Sequence, residues 1–205
     1  MSVTRLCVVL AGGAGERMGG DKALRPLGDR MLGQHALALA ARLAPNVVLA
    51  VRDQAQAEGL GPADLVFDPP GVEGPLAGVV GGLVHGERLR AAHVLTIPCD
   101  APLLPADLYA GLEAALERNP GALAATANDG QQDQPACTLW RTAALPPLLR
   151  YARTGRRSLH GALSDLKACR AVWPDPGGRM FMNINTTQDL ALAEAVWAEL
   201  GLGQA

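Results

Sequence analysis

Short apolar runs alternate along roughly the first 130 residues with longer segments in which apolar side chains recur every three or four positions. The runs predict strands at Arg5–Leu10, Asn46–Val51, Asp64–Phe67, 93–97 and 122–127. The segments between them predict helices over 31–43, 75–85 and 104–118. Because each crossover helix returns the chain to the same edge of the sheet, this order predicts parallel strands with helices on both faces. We therefore expect a three-layer, Rossmann-like α/β fold around a mostly parallel twisted sheet.

The pattern changes after residue 128. Asn128-Asp-Gly130 is typical of a turn, and the apolar run at 135–140 predicts a strand that returns antiparallel to its neighbour. Short helices are expected near 142–151 and 158–166. Asn185-Thr-Thr-Gln-Asp189 precedes a last apolar pattern and predicts a helix with a threonine cap and an acidic first turn. Since no repeat or long linker interrupts the chain, we expect one domain.

Composition and charge argue against several classes of function. The formal net charge is −2 without a block of like charges, so an anion site has to be local. Aromatic residues make up 3% of the chain, which argues against a stacking surface for single-stranded nucleic acid. The chain shows neither a leader pattern nor an apolar run of about 18 residues, and its four cysteines are far apart. We expect a cytoplasmic protein with reduced thiols and neither nucleic-acid nor membrane partners.

A glycine-rich stretch, Leu10-Ala-Gly-Gly-Ala-Gly-Glu-Arg-Met-Gly-Gly-Asp-Lys22, follows the first strand. Such a loop can bring backbone N–H groups close to a phosphate. A Walker A loop does not fit, because Asp21 and then Lys22 follow the last glycine where Lys and then Ser or Thr are required. A dinucleotide-binding fingerprint does not fit either, because the glycine spacing is wrong and Asp53 comes too late. A turn without a ligand stays open, although Arg17 and Lys22 suit a triphosphate.

Two carboxylates follow other predicted strands. His93-Val-Leu-Thr-Ile-Pro-Cys-Asp100-Ala-Pro102 and Val66-Phe67-Asp68 both place an aspartate at a strand end. Open parallel sheets bind ligands at this carboxyl edge, although a lone aspartate there is often a turn or cap residue. Next to a phosphate loop, Asp100 is a candidate ligand for Mg²⁺, which prefers one or two carboxylates with substrate phosphates and water.

Further motifs complete a pattern that covers nearly the whole chain. The pattern consists of Leu10-Ala-Gly-Gly13, Arg17-Met-Gly-Gly-Asp-Lys22, Asp68, Gly74-Pro-Leu-Ala-Gly78, Pro98-Cys-Asp100-Ala-Pro102 and Asn183-Ile-Asn-Thr186. It resembles the nucleotidyltransferases of molybdenum cofactor synthesis, and among them the guanylyltransferase family. Leu-Ala-Gly-Gly, where cytidylyltransferase relatives usually show Leu-Ala-Ala-Gly, favours the guanylyl branch. The resemblance implies one nucleotidyltransferase domain over 1–205, with a nucleotide-binding part at 1–103 and an acceptor, pterin-binding part at 104–205.

The resemblance also implies a reaction and its site. The terminal phosphate of molybdopterin would attack the α-phosphorus of GTP, forming a guanine dinucleotide and releasing pyrophosphate with Mg²⁺ as cofactor. The residues expected to contact GTP are Leu10, Ala11, Gly12, Gly13, Lys22, Asp68 and Asp100, with the metal on Asp100. Molybdopterin would be delivered by another cofactor-synthesis or carrier protein. The chain departs from the family at Ala50, where relatives can carry an Asn that contacts the nucleotide, and at Asp133-Gln-Pro-Ala136, where some have a His before the Pro.

The expected catalysis is electrostatic, because attack on phosphorus needs positioning and charge neutralisation rather than a protein nucleophile. We assign this role to Arg17, Lys22 and Asp100. Asn183 and Asn185 alternate along an extended segment and are candidates for binding the pterin phosphate or the metal shell, with a turn and cap role left open. Arg156 is a candidate for binding the anionic pterin, with a solvated surface role equally open.

Other functions remain compatible with these residues. The same glycine loop would serve cytidylyl transfer to molybdopterin, or nucleotidyl transfer to another phosphorylated small molecule such as a sugar phosphate. A module that binds or carries a nucleotide without turnover would also retain it.

Overall fold

The computed structural model describes residues 4–12 and 22–200. The strands in this part of the chain are β1 (Arg5–Leu10), β2 (Pro26–Leu27), β3 (Arg30–Met31), β4 (Asn46–Val51), β5 (Asp64–Phe67), β6 (His93–Pro98), β7 (Ala124–Asn128), β8 (Asp133–Arg141) and β9 (Cys169–Val172). The helices are α1 (Leu32–Leu43), α2 (Pro75–Arg88), α3 (Leu108–Arg118), α4 (Leu145–Arg153), α5 (Leu159–Asp165) and α6 (Thr187–Glu199).

Seven of the strands form one sheet in the order β5-β4-β1-β6-β8-β7-β9, and β2 pairs with β3 in a separate hairpin. Strand β1 lies parallel to both β4 and β6, and β4 lies parallel to β5. Strand β8 is antiparallel to both of its neighbours, β6 and β7. The predicted mostly parallel sheet with an antiparallel strand is therefore confirmed.

Helices cover both faces of the sheet, as predicted. Along β1 the side chains alternate between the two faces, because successive residues of a strand point to opposite sides. Cys7 and Val9 pack into a core with residues of α1 and α3. Leu6 and Val8 pack into a second core with residues of α2, α4 and α5. The molecule thus has the three layers expected for the α/β class.

Helix α2 packs against the sheet through three glycines on one of its faces, Gly78, Gly82 and Gly86. A Cβ atom on Gly82 would lie 2.6 Å from Val8 Cγ2, and one on Gly86 would lie 2.5 Å from Val94 Cγ2. Real Cβ atoms essentially never make such contacts, so a larger residue at either position would force Val8 or Val94 to shift. The helix begins after Gly74, which has a φ of 67°, at the edge of the sheet where β5 ends.

Several predicted boundaries differ from the structure. Strand β9 was not predicted, because only Ala171 of its four residues is buried and no alternation is visible. The helix expected over 104–118 begins at Leu108, so a loop follows Asp100 instead. The helix expected near 142–151 begins at Leu145, after a short 3-10 turn over Thr142–Ala144. None of the helices in the described ranges has the length and apolar content needed to cross a membrane.

Candidate active site

Three polar side chains from distant parts of the sequence meet at the carboxyl edge of the sheet. The Nζ atom of Lys22 lies 2.9 Å from Asp100 Oδ2 and donates a hydrogen bond of 2.5 Å to Asn185 Oδ1. The side chains of Lys22 and Asp100 are only 21% and 12% exposed, so solvent screens their attraction less than that of a surface pair. We call these three residues the Lys22 cluster.

Asp100 is placed by the parallel pairing of β1 with β6. Leu10 lies opposite Pro98, and the backbone N–H of Cys99 donates to the Leu10 carbonyl at 3.2 Å. On the other side, the N–H of Ala11 donates to the Ala50 carbonyl at 2.9 Å. The chain therefore leaves β1 between two neighbouring strands and continues to Gly12, while Asp100 follows directly after Cys99.

Ala50 faces α2 rather than the edge of the sheet. Its side chain is buried, and a Cβ atom on Gly78 would lie 3.2 Å from the Cβ of Ala50. A longer side chain at position 50 would meet the α2 backbone. The backbone carbonyl of Ala50 accepts the hydrogen bond from the Ala11 N–H, so the main chain here contributes to the hydrogen bonding of the sheet.

The backbone of Asn185 is held by the cap of α6, which the sequence predicted. The Oδ2 atom of Asp189 accepts hydrogen bonds from the N–H groups of Asn185, at 2.9 Å, and Thr186, at 2.8 Å. The Thr186 hydroxyl in turn accepts from the Asp189 N–H at 3.1 Å. The hydrogen bond from the Asn185 N–H is the main cause that lowers the pKa of Asp189, against a smaller effect of burial.

Asn183 and Asn185 lie on either side of Ile184, which is fully buried. The N–H of Ile184 donates to the carbonyl of Asp100 at 2.9 Å, so this segment is attached to the loop that follows β6. This attachment places Asn185 within hydrogen-bonding distance of Lys22, while the side chain of Asn183 is exposed.

The ends of β4 and β5 supply a cation and a carboxylate on the other side of β1. An ideal Cβ atom on Gly12 would lie 3.5 Å from Arg52 Cγ, so Arg52 borders the loop after β1. Burial raises the pKa of Asp68, and the positive charge of Arg52 partly offsets that effect. Sequence analysis did not single out Arg52, although its position one residue after a strand was a usable signal.

Three candidates remain. Gly13 and Arg17 fall outside the described residues. The Arg156 guanidinium lies 2.5 Å from Asp165 and 4.1 Å from the ring centre of Tyr151, which places it beside α4 and α5. Its contacts do not include the Lys22 cluster.

A divalent metal would find few protein ligands here. Across residues 4–12 and 22–200, no group of three His, Cys, Asp or Glu side chains is arranged to hold a metal. Mg²⁺ does not require such a group, because it uses one or two carboxylates and takes its other oxygens from phosphates and water. Asp100 fits that requirement, since only its Oδ2 atom is engaged by Lys22 within the described part of the chain.

Two of the cysteines are unsuited to nucleophilic chemistry. Cys7 and Cys137 are buried, and burial raises the pKa of both thiols. A neutral thiol is a poor nucleophile, so these two residues act as small apolar side chains.

The fold and this site together define a class of protein. A mostly parallel sheet with a glycine-rich stretch after its first strand, and a lysine and a carboxylate paired at its carboxyl edge, is suited to binding the phosphates of a nucleotide. The MobA-like NTP transferase domain family matches residues 7–168, and the chain belongs to that family. It is therefore an enzyme of the nucleotidyltransferase class.

Similar proteins agree with this assignment. A molybdenum cofactor guanylyltransferase from Cereibacter sphaeroides is 38% identical over 194 residues, covering 92% of this chain and 95% of the relative. One from Histophilus somni is 34% identical over 202 residues, covering 97% and 100%. The crystal structure of molybdopterin-guanine dinucleotide biosynthesis protein A from Archaeoglobus fulgidus has a TM-score of 0.77 at 24% identity and covers 96% and 100% of the two chains. That last likeness concerns the fold.

Proposed function

We propose that this nucleotidyltransferase transfers GMP from GTP to molybdenum-loaded molybdopterin, forming the guanine dinucleotide form of the cofactor and releasing pyrophosphate. The names of the relatives with 34% and 38% identity support the guanylyl reaction. The observation that carries the proposal is the Lys22 cluster, which sets a cation and a carboxylate beside the loop after β1.

Lys22 is suited to the phosphates of GTP. Its ammonium group has three donors, and the cluster uses two of them on Asp100 and Asn185. A phosphate oxygen can take the third while the other two keep the ammonium in place. In this role Lys22 would stabilise the negative charge that builds on departing pyrophosphate, and Arg17 would assist it.

Asp100, with Asn185 beside it, would hold Mg²⁺. When bound, that ion neutralises phosphate charge and polarises phosphoryl oxygens. Asp100 does not need to act as a base, because a phosphomonoester has a second pKa of about 6 and is already mostly ionised at neutral pH. The catalytic task of the protein is therefore to bring two anionic substrates together.

The strand order separates two regions around the Lys22 cluster. Gly12, Arg52 and Asp68 follow β1, β4 and β5, which lie on one side of β6. We assign the nucleotide to this side. The end of β7 and the beginning of β8 lie on the other side of β6, where the acceptor would bind. This division supports the proposed split into a nucleotide part at 1–103 and an acceptor part at 104–205.

The test is incubation with molybdate-loaded molybdopterin, Mg²⁺ and each of the four nucleoside triphosphates, followed by measurement of pyrophosphate and of the dinucleotide product. We expect turnover with GTP. Turnover with CTP alone would refute the guanylyl assignment and favour cytidylyl transfer. Turnover only with a sugar phosphate or another acceptor would refute molybdopterin. Binding of GTP without turnover on any acceptor would indicate a carrier module.

A further inference from the structure

A second feature at the carboxyl edge is a cavity of about 320 Å³ that adjoins the Lys22 cluster. It lies between the β7–β8 hairpin and the segment before α6. Amide side chains are the most numerous polar groups in its lining: Gln131, Gln132, Gln134, Asn183 and Asn185, with the carboxylates of Asp129 and Asp175 beside them. A concentration of uncharged donors and acceptors is suited to a polar heterocycle rather than to a phosphate.

Asp129 holds the hairpin and one of these amides in a defined orientation. Its Oδ1 atom accepts hydrogen bonds of 2.8 Å from the backbone N–H groups of Gln131 and Gln132. Its Oδ2 atom accepts from Nε2 of Gln134 at 2.9 Å. This leaves the Oε1 atom and the second amide hydrogen of Gln134 without a partner among the described residues.

Asn183, in the segment before α6, contributes a second side-chain amide to the cavity. Its side-chain amide has no hydrogen-bond partner within 4–12 and 22–200, although it lines the cavity. Asn185 lines the same cavity and binds Lys22. Asn185 therefore lies between a molecule in the cavity and the cation of the Lys22 cluster.

The cavity is separate from the region assigned to the nucleotide. The hairpin follows β7 and precedes β8, whereas Gly12, Arg52 and Asp68 follow strands on the far side of β6. Adjacent strands lie about 4.8 Å apart, so β7 and β6 are separated by roughly 10 Å. A ring in the cavity and a triphosphate on the loop after β1 would approach the Lys22 cluster from opposite sides.

We propose that this cavity binds the pterin ring of the acceptor and that Gln134, positioned by Asp129, recognises the 2-amino-4-oxo-pyrimidine edge of that ring. Such an edge presents N–H donors next to a carbonyl acceptor, and a fixed amide offers the complementary acceptor and donor side by side. Asn183 supplies a further donor and acceptor. The identity of the acceptor rests on the proposed function. Guanine carries the same edge, so the experiment has to separate the two rings.

The test compares Gln134→Met with wild type, because methionine keeps the length of the side chain and removes both hydrogen-bonding atoms. Binding of 6-hydroxymethylpterin is followed by its fluorescence, binding of guanosine by calorimetry, and the KM values of molybdopterin and GTP by pyrophosphate release. We expect the Kd of the pterin and the KM of molybdopterin to rise about tenfold, as the loss of paired hydrogen bonds predicts. The kcat, the KM of GTP and the binding of guanosine should change less than about twofold on the same reasoning.

Gln188→Met is the matched control, since Gln188 is exposed on α6 and does not line the cavity. Asn183→Leu is a second variant, chosen because the exposed Asn183 side chain makes no contact on which folding depends in the described residues; it should weaken pterin binding several-fold. Unchanged pterin affinity in Gln134→Met and Asn183→Leu would overturn the inference, as would weaker binding of guanosine or GTP in place of the pterin. If wild type binds the pterin, Gln134→Met weakens it and no GMP is transferred, the proposed function fails and the recognition site stands.

Discussion

Replacing Asn185 with alanine removes one of the two oxygen atoms that hold the Lys22 ammonium. The hydrogen bond is 2.5 Å long and its donor is charged. A hydrogen bond to a charged group contributes about 1.5 to 3 kcal/mol. Because Lys22 keeps its ion pair with Asp100 at 2.9 Å, we take the lower part of that range. If the misplaced ammonium loses the same amount of transition-state stabilisation, about 1.5 to 2 kcal/mol, kcat/KM falls by about 10- to 30-fold.

The same substitution should leave the fold nearly intact. The cap of α6 uses the backbone N–H of Asn185, which alanine retains. Ile184 also keeps its backbone bond to Asp100. We therefore expect the variant to fold, with a free energy of unfolding lowered by no more than the contribution of the lost hydrogen bond, about 1.5 to 3 kcal/mol. Loss of activity in a variant that is still fully folded under the assay conditions would distinguish a positioning role from a structural one.

The assay is steady-state pyrophosphate release with GTP and molybdopterin, alongside urea unfolding. Asn46→Ala is the matched control, because it also removes a side-chain hydrogen bond, here one that Asn46 donates at 2.9 Å to the Arg5 carbonyl at the opposite edge of the sheet. A change in kcat/KM of less than about threefold for Asn185→Ala would refute the view that Asn185 positions Lys22 for catalysis. An equal loss in Asn46→Ala would refute the assignment of the effect to the site.

Three further changes test other parts of the molecule. Asp100→Asn should lower kcat at least about 100-fold while altering GTP affinity much less, measured by turnover and by calorimetry; normal turnover would disprove the proposed metal and Lys22 roles. Gly82→Leu should destabilise the fold by about 3 kcal/mol in urea unfolding, because the new side chain has no space against Val8; unchanged stability would contradict the close packing of α2. Burial, and a smaller effect of a nearby arginine, lowers the pKa of His93, so the unfolded chain takes up a proton that the folded chain resists. The free energy of unfolding should therefore fall as the pH drops below about 6.5. Between about pH 7.5 and 5.5 it should fall less in His93→Gln than in wild type; equal losses would show that His93 is not responsible.

Strand positions in the first half were predictable from the sequence. Arg5–Leu10, Asn46–Val51 and Asp64–Phe67 have the predicted bounds. Parallel strands covered on both faces appear as continuous apolar runs, and such runs have few alternative interpretations. The cap of α6 was predictable for a similar reason, because Thr186 and Asp189 act on backbone groups only three residues away.

Short elements were not predictable. Strand β9 buries only Ala171, and the β2–β3 hairpin has two residues in each strand. Neither element produces a periodic pattern of apolar residues in the sequence, because both are stabilised by pairing with neighbouring strands that are already folded. Arg52 was missed for a related reason. A single arginine after a strand becomes a candidate site residue only when the structure shows that the loop after β1 lies beside it.

The sequence by itself determined which chemical groups are available: a glycine loop after the first strand, Lys22, Asp100 at the end of another strand, and two asparagines before the last helix. Only the tertiary structure decided that Lys22, Asp100 and Asn185 bind one another, and that amides of the β7–β8 hairpin line a cavity beside them. Lys22 is 78 residues from Asp100 and 163 from Asn185. No local pattern encodes contacts over such separations, because they arise where the sheet order brings the ends of different strands to one edge.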